Sequence, residues 1–71
     1  MIKVGIIGCG TIGRELALAC QKRFHEEVTL EALADTEVSH ARKLQKDLKP
    51  KPQILPVDTV IRRCDLVIEP V

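Results

Sequence analysis

The stretch VGIIGCGTIG, residues 4–13, joins a short apolar run to three glycines with the spacing G-x-G-x-x-G. This spacing, after a predicted strand and before a predicted helix, is typical of the turn that carries a dinucleotide in parallel α/β folds. Gly8 allows a tight turn, Gly10 lets a pyrophosphate approach the backbone, and Gly13 lets the helix pack close to the strand. The sequence therefore predicts a dinucleotide-binding turn at residues 8–13.

The residues expected to bind the cofactor include donors in the turn and one acid beyond it. The first N–H groups of a helix have no partner within it, so those of Thr11 and Ile12 are the expected donors to the pyrophosphate. Asp35 ends the next apolar run, where the motif places an acid that binds a ribose 2′-hydroxyl. The predicted cofactor-binding residues are Gly8, Gly10, Thr11, Ile12, Gly13 and Asp35. The alternatives are a turn that only packs and, for Asp35, a helix cap or a solvated loop residue.

The carboxylate of Asp35 also bears on the choice between two cofactors. It would accept hydrogen bonds from ribose hydroxyls and repel a 2′-phosphate, so NAD is the expected cofactor. The basic residues His40 and Arg42 lie in the following predicted helix, where a basic side chain could accommodate that phosphate. NADP therefore remains an open alternative.

The apolar periodicity of the chain predicts strands that alternate with helices. Strands are expected at residues 2–7, 28–34, 53–55 and 66–68, helices at 11–24 and 37–48, and a single helical turn after residue 58. Thr36 is a plausible N-cap of the second helix. The expected buried face of the first helix repeats every four residues: Ile12, Leu16, Cys20 and Phe24.

This alternation predicts an α/β fold, a parallel Rossmann-type sheet with strand order 3-2-1-4. It corresponds to the first half of a dinucleotide-binding domain. We expect residues 1–71 to form an NAD(P)-binding half-domain of a larger enzyme. Because such a sheet has an unpaired edge, we also expect a homo-oligomer, formed through that edge or through an apolar face.

Composition excludes several classes of protein. The net charge is +1 and the basic residues form no stripe, so nucleic acid is not an expected partner. No apolar run approaches the roughly 20 residues that span a membrane. Cys9, Cys20 and Cys64 form no C-x-x-C pair and are interpreted as reduced thiols of a cytoplasmic protein. Neither His25 nor His40 has metal-ligand spacing, so no metal site is predicted.

The chain carries no recognisable set of catalytic acids and bases, and we predict no catalytic residue and no turnover from it alone. Glu69 follows the fourth predicted strand, at the sheet edge where ligands bind in open α/β folds. It is either a residue of the ligand cleft or an exposed loop acid.

Two segments resemble one enzyme family. Residues 1–13 look like the N-terminus of the L-aspartate dehydrogenase family, and residues 64–69 resemble the strand that ends in its acid-Ala-Ala turn, although Pro70 and Val71 replace the small residues. The resemblance implies NAD(P)-dependent oxidation of L-aspartate to iminoaspartate, a precursor in NAD biosynthesis, and it gives the glycines, Thr11, Ile12 and Asp35 the cofactor roles. The family's catalytic histidine lies in a second domain, so neither histidine here inherits that role.

Two alternatives remain open from the sequence. The opening segment is also similar to homoserine dehydrogenases, dihydrodipicolinate reductases and the glucose–fructose oxidoreductase family, which would change the substrate. A stand-alone nucleotide-sensing module would bind the same ligand without catalysis. A reading frame that continues for a further ~150 residues, as two-domain enzymes require, would favour the enzyme.

Overall fold

The computed structural model describes residues 1–70. Within them the elements are β1 (Ile2–Ile7), α1 (Thr11–Lys22), β2 (Val28–Ala34), α2 (Val38–Lys46), β3 (Gln53–Ile54), α3 (Val57–Arg63) and β4 (Leu66–Ile68). All neighbouring strands are parallel, and the sheet has the order β3-β2-β1-β4. The predicted α/β fold and the strand order 3-2-1-4 are confirmed.

The helices differ from the predicted ones mainly at their ends. α1 and α2 are each shorter than expected, whereas α3 is longer than the single turn predicted after residue 58. The expectation that Thr36 caps α2 was wrong, because Glu37 occupies the N-cap position and makes no side-chain cap bond. The Asp35 carboxylate, one residue before Thr36, accepts the N–H of Glu37.

The buried face of α1 is also different from the predicted one. Ile12 is 53% exposed and Phe24 is 48% exposed, while the buried residues of the helix are Gly13, Ala17 and Cys20. The small side chains let α1 approach the sheet closely, which turns the large Ile12 outward. Phe24 lies beyond the helix, where its N–H donates to the Ala19 carbonyl, so the helical periodicity no longer applies to it.

The sheet is covered on both faces, as expected for a parallel sheet. On one face a buried cluster joins β1 and β2 to α1, α2 and the segment that follows α2; it contains Val4, Ile6, Cys9, Ala17, Cys20, Leu30, Leu33, Ala41, Leu44 and Leu48. On the other face Val60 of α3 packs with Ala32 and Ala34 of β2. The two clusters hold the carboxyl ends of β1 and β2 side by side, and the candidate site forms there.

No helix within residues 1–70 has the length and apolar character needed to cross a membrane.

Candidate functional site

The turn after β1 depends on a backbone conformation that suits glycine. Gly8 has φ of +107°, which L side chains rarely adopt. Its N–H donates to the carbonyl oxygen of Ala34 at 2.8 Å. The turn is therefore fastened to the end of β2 at its first residue.

Gly13 is required by close packing. A Cβ atom at this position would collide with the carbonyl oxygen of Gly8 and lie 3.6 Å from Ile6. The first turn of α1 can therefore rest against the end of β1 only if residue 13 has no side chain. This contact accounts for the third glycine of the motif without any ligand.

Gly10 has no such structural reason. It is the N-cap residue of α1, its φ is −77°, and no atom lies within 4 Å of the position that its Cβ would occupy. The fold would accept a side chain here. The absence of one leaves open space above the backbone, which is what a closely approaching ligand needs.

The start of α1 presents unpaired donors beside that space. The first hydrogen bond of the helix runs from the N–H of Arg14 to the carbonyl of Gly10, at 2.9 Å. The N–H groups of Thr11, Ile12 and Gly13 precede it, no side chain caps them, and the first turn has no acidic residue. A cavity of about 280 Å³ lies over them, lined by Gly8, Gly10, Thr11, Ile12, Gly13 and Pro70. Free N–H groups and the positive end of the helix dipole make this a place for an anion.

Asp35 lies at the end of β2, directly beside the turn. Its Oδ2 accepts a hydrogen bond from the N–H of Cys9 at 2.7 Å, and its Oδ1 accepts one from the N–H of Glu37 at 2.8 Å. These two bonds, with the nearby His40 ring, lower the pKa of the Asp35 carboxyl below its ordinary value. The carboxylate is therefore charged at neutral pH, and it fastens the glycine turn to the start of α2.

Asp35 holds the start of α2 and still has acceptor capacity left. The side chain accepts the N–H of Glu37, the N-cap residue of α2, and it remains 11% exposed. A carboxylate offers about four lone-pair positions, of which two are used. Acceptor capacity is left for a hydroxyl group of a ligand.

An apolar groove that sequence reasoning missed begins on the other side of Asp35. Its volume is about 310 Å³, and its lining consists of Ala34, Asp35, Thr36, Val38, Ile54, Leu55, Pro56 and Val57. Val38 and Val57 are both more than 40% exposed. These residues come from two stretches of sequence, residues 34–38 and 54–57, so no local pattern in the sequence could have identified the groove. Its apolar walls suit a flat ring such as adenine.

A third cavity of about 330 Å³ lies between α1 and α2, next to the turn. It is lined by Cys9, Gly10, Thr11, Arg14, His40 and Lys43. The expected basic neighbour Arg42 is not among these residues. Residues three apart in a helix share a face, whereas residues two apart do not, so Lys43 accompanies His40 and Arg42 turns away.

The remaining candidate residues, Cys9 and Glu69, contribute less to the candidate site. Cys9 is buried, its thiol lies 3.6 Å from the Ala34 carbonyl oxygen, and burial followed by the charge of Asp35 raises its pKa to about 11. It is a packing residue and not a reactive thiol. Glu69 is exposed, and its neighbour Pro70 lines the cavity over the turn. Within residues 1–70 no group of three or more His, Cys, Asp or Glu side chains could hold a metal ion.

Comparison with known proteins identifies the family of the chain. The family model described as the NAD-binding domain of homoserine dehydrogenase matches residues 8–70. The L-aspartate dehydrogenases of Methanocella arvoryzae, Methanococcoides burtonii and Methanosarcina acetivorans are 33%, 37% and 40% identical to the chain. Each alignment covers 97% of this chain, which spans about a quarter of the length of these relatives (25 to 26%). No solved structure matches the chain.

The family match extends from the first glycine of the turn to Pro70, so it covers the turn, Asp35 and all three cavities. The resemblance to L-aspartate dehydrogenases and the expected NAD(P) cofactor are confirmed. The residues present also fit a dinucleotide, because open space at Gly10 and free N–H groups lie beside an acceptor and an apolar groove. The chain belongs to the family of the homoserine dehydrogenase NAD-binding domain.

Proposed function

We propose that residues 8–13 and Asp35 hold the dinucleotide at the carboxyl end of the sheet. The observation that carries this proposal is Gly10, whose missing side chain serves no packing purpose and leaves space over unpaired donors. The N–H groups of Thr11, Ile12 and Gly13 donate to the pyrophosphate oxygens. Gly8 keeps the turn in the shape that exposes them.

Groups around the turn bind the other parts of the dinucleotide. The free lone pairs of Asp35 accept hydrogen bonds from the ribose hydroxyls. The apolar groove beside Asp35 takes the adenine ring, because Val38, Leu55 and Val57 offer it uncharged surface. The other end of the ligand then extends past Ile12 towards Pro70, at the end of β4.

We propose that residues 1–71 are the dinucleotide-binding half-domain of an oxidoreductase that oxidises L-aspartate to iminoaspartate. The support is that the relatives named above are L-aspartate dehydrogenases. The nicotinamide, when bound, supplies the hydride acceptor, and this chain contributes binding, orientation and exclusion of water from one side. We assign no catalytic residue to it, and both His25 and His40 are exposed.

The substrate has one alternative with its own support, since the family model is described by homoserine dehydrogenase. The two are separated by assaying the protein from the complete reading frame with L-aspartate and with L-homoserine. We expect NAD(P)⁺ reduction with L-aspartate alone. Reduction with L-homoserine alone would contradict the proposed substrate and leave the dinucleotide site intact.

Calorimetric titration with NADH tests the site, because the chain has no Trp or Tyr to report binding by fluorescence. We expect saturable binding by the wild type and at least tenfold weaker binding by Gly10→Val. The melting temperature of this variant should be unchanged, since its Cβ meets no atom within 4 Å. Equal affinity of the two proteins would overturn the assignment of Gly10 to the pyrophosphate.

We further propose self-association through the β4 edge of the sheet. β3, at the opposite edge, has two residues and lies between Pro52 and Pro56, which cannot donate backbone hydrogen bonds. β4 itself begins with Leu66, which is 49% exposed, and the preceding helix α3 carries Ile61, which is 56% exposed. Light scattering over a concentration series should show dimers, and Leu66→Lys should reduce them. A monomer at all concentrations would contradict this proposal.

We propose a cytoplasmic location, which the three free cysteines support. Cell fractionation should recover the protein with a cytoplasmic marker, and recovery with the exported fraction would contradict the proposal.

A further inference from the structure

A cavity at the amino end of the sheet lies apart from the proposed dinucleotide site. It is found where α1 ends and β2 begins, and its volume is about 150 Å³. Its lining consists of Met1, Cys20, Gln21, His25, Val28, Thr29, Leu30, Lys49 and Pro50. No lining residue is acidic, so a ligand here meets apolar atoms, neutral polar groups and basic side chains only.

The inner wall of this cavity is apolar. Cys20 and Leu30 are buried, and Val28 is half-buried. Burial raises the pKa of the Cys20 thiol, so this wall carries no charge at neutral pH. An apolar cavity of about 150 Å³ is large enough for one benzene-sized ring. The volume therefore fits a single small ring or a branched aliphatic chain.

The walls of the cavity are held in place by hydrogen bonds within the protein. The Gln21 side-chain amide donates to the Pro50 carbonyl at 2.7 Å and accepts the Lys49 N–H at 2.8 Å. These bonds connect the last turn of α1 to the segment after α2, which form two sides of the cavity. The cavity is therefore formed without a ligand, which lowers the cost of ordering its walls on binding.

Two exposed basic side chains of the lining have no counter-charge. Neither His25 nor Lys49 forms an ion pair within residues 1–70. Glu26 and Glu27 follow His25 in the chain, but they do not line the cavity. The ammonium group of Lys49 is therefore free to pair with a negatively charged group of a ligand.

We propose that this amino-end cavity binds a small carboxylate with an apolar body, such as an aromatic or branched-chain acid. The ring or chain lies against Cys20, Val28 and Leu30, and the carboxylate pairs with Lys49. This inference goes beyond the proposed function and does not depend on it, since the glycine turn lies at the opposite end of the sheet.

An NMR titration of the ¹⁵N-labelled chain with benzoate tests this proposal. We expect saturable shift changes at the N–H groups of Cys20, Thr29 and Leu30. Benzamide has the same ring without the charge, and it should bind about fivefold more weakly, the size of one exposed ion pair. Acetate has the charge without the ring, and it should bind at least about tenfold more weakly than benzoate because it buries little apolar surface.

Two lysine variants test the assignment of the carboxylate. Lys49→Gln should weaken benzoate binding about fivefold and leave benzamide binding unchanged. Lys51→Gln is the matched control, because it removes the same charge from an exposed position that does not line the cavity. Equal effects of the two variants, or acetate binding as tight as that of benzoate, would indicate general attraction to a basic surface and overturn the proposal.

The position of the shift changes decides the remaining outcomes. Changes confined to Thr11, Ile12 and Gly13 would place benzoate at the start of α1 and overturn the proposal, as would the absence of any saturable change. A chain that binds benzoate at the amino end but fails to bind NADH would retain this inference and lose only the proposed function.

Discussion

Cavities lie at both ends of the parallel sheet, but only the one over the start of α1 faces unpaired backbone N–H groups of a helix. At the carboxyl end, a space of about 280 Å³ lies over the unpaired N–H groups at the start of α1. At the amino end, a smaller space of about 150 Å³ is lined partly by Gln21, Lys49 and Pro50. There the Gln21 amide donates to the Pro50 carbonyl at 2.7 Å and accepts the Lys49 N–H at 2.8 Å.

The two ends of the sheet differ in whether their polar groups have hydrogen-bond partners within the protein. At the amino end they bind each other and connect α1 to the segment after α2, so they contribute to stability. At the carboxyl end the fold leaves donors without partners and keeps Gly10 bare, so they are available to a ligand. The presence of a cavity alone would not have distinguished the two ends, whereas the uncapped N–H groups at the start of α1 do.

The largest effect is expected at the packing glycine of the carboxyl end. Gly13→Ala places a Cβ against the Gly8 carbonyl oxygen, so α1 must move away from β1. Overpacking of this kind costs up to about 3 kcal/mol, which lowers the melting temperature by about 10 °C or more in a domain of this size. Thermal unfolding followed by circular dichroism measures the change. Gly10→Ala is the control, and equal melting temperatures of the two variants would contradict the different roles of the two glycines.

A smaller effect is expected for the carboxylate that fastens the turn. Asp35→Asn removes the charge from two hydrogen bonds, to Cys9 and Glu37, and should cost about 2 kcal/mol of unfolding free energy at neutral pH. Urea unfolding of the wild type and the variant measures this difference.

The pH dependence of unfolding, compared between the wild type and Asp35→Asn, shows whether the charge of Asp35 causes this difference in stability. The pKa of Asp35 is lower in the folded chain than its ordinary value of 3.8. The stabilisation is therefore complete above about pH 4 and is lost as the pH falls further and the carboxylate takes up a proton. The stability difference between wild type and Asp35→Asn should shrink in that range. A difference that stays constant down to pH 2 would show that the charge is not its origin.

The smallest effect is expected at the amino end. Gln21→Ala removes two partly exposed hydrogen bonds and should cost about 1 kcal/mol, with no change in NADH affinity. Unfolding and calorimetric titration of the same sample measure both quantities. If Gln21→Ala lost NADH binding and kept its stability, NADH would bind at the amino end of the sheet, which would contradict the proposed site.

The glycine turn, the strand order and the position of Asp35 could be predicted from the sequence because they depend on local spacing and apolar periodicity. The hydrogen bond from the Cys9 N–H to Asp35 joins residues 26 positions apart, and the apolar groove is formed by two distant stretches of sequence, so neither has a local signal. The exposure of Ile12 was missed because a four-residue repeat of large side chains outweighed the small residues that face the sheet. Lys43 could have been found from its three-residue spacing to His40.

The most direct test of the account is an NMR titration of the ¹⁵N-labelled chain with NADH, which reads every backbone N–H at once. We expect the largest shift changes at the N–H groups of Thr11, Ile12 and Gly13, and none at Thr29 or Lys49, which line the amino-end cavity. Changes concentrated at Thr29 and Lys49, or no saturable change anywhere, would contradict it.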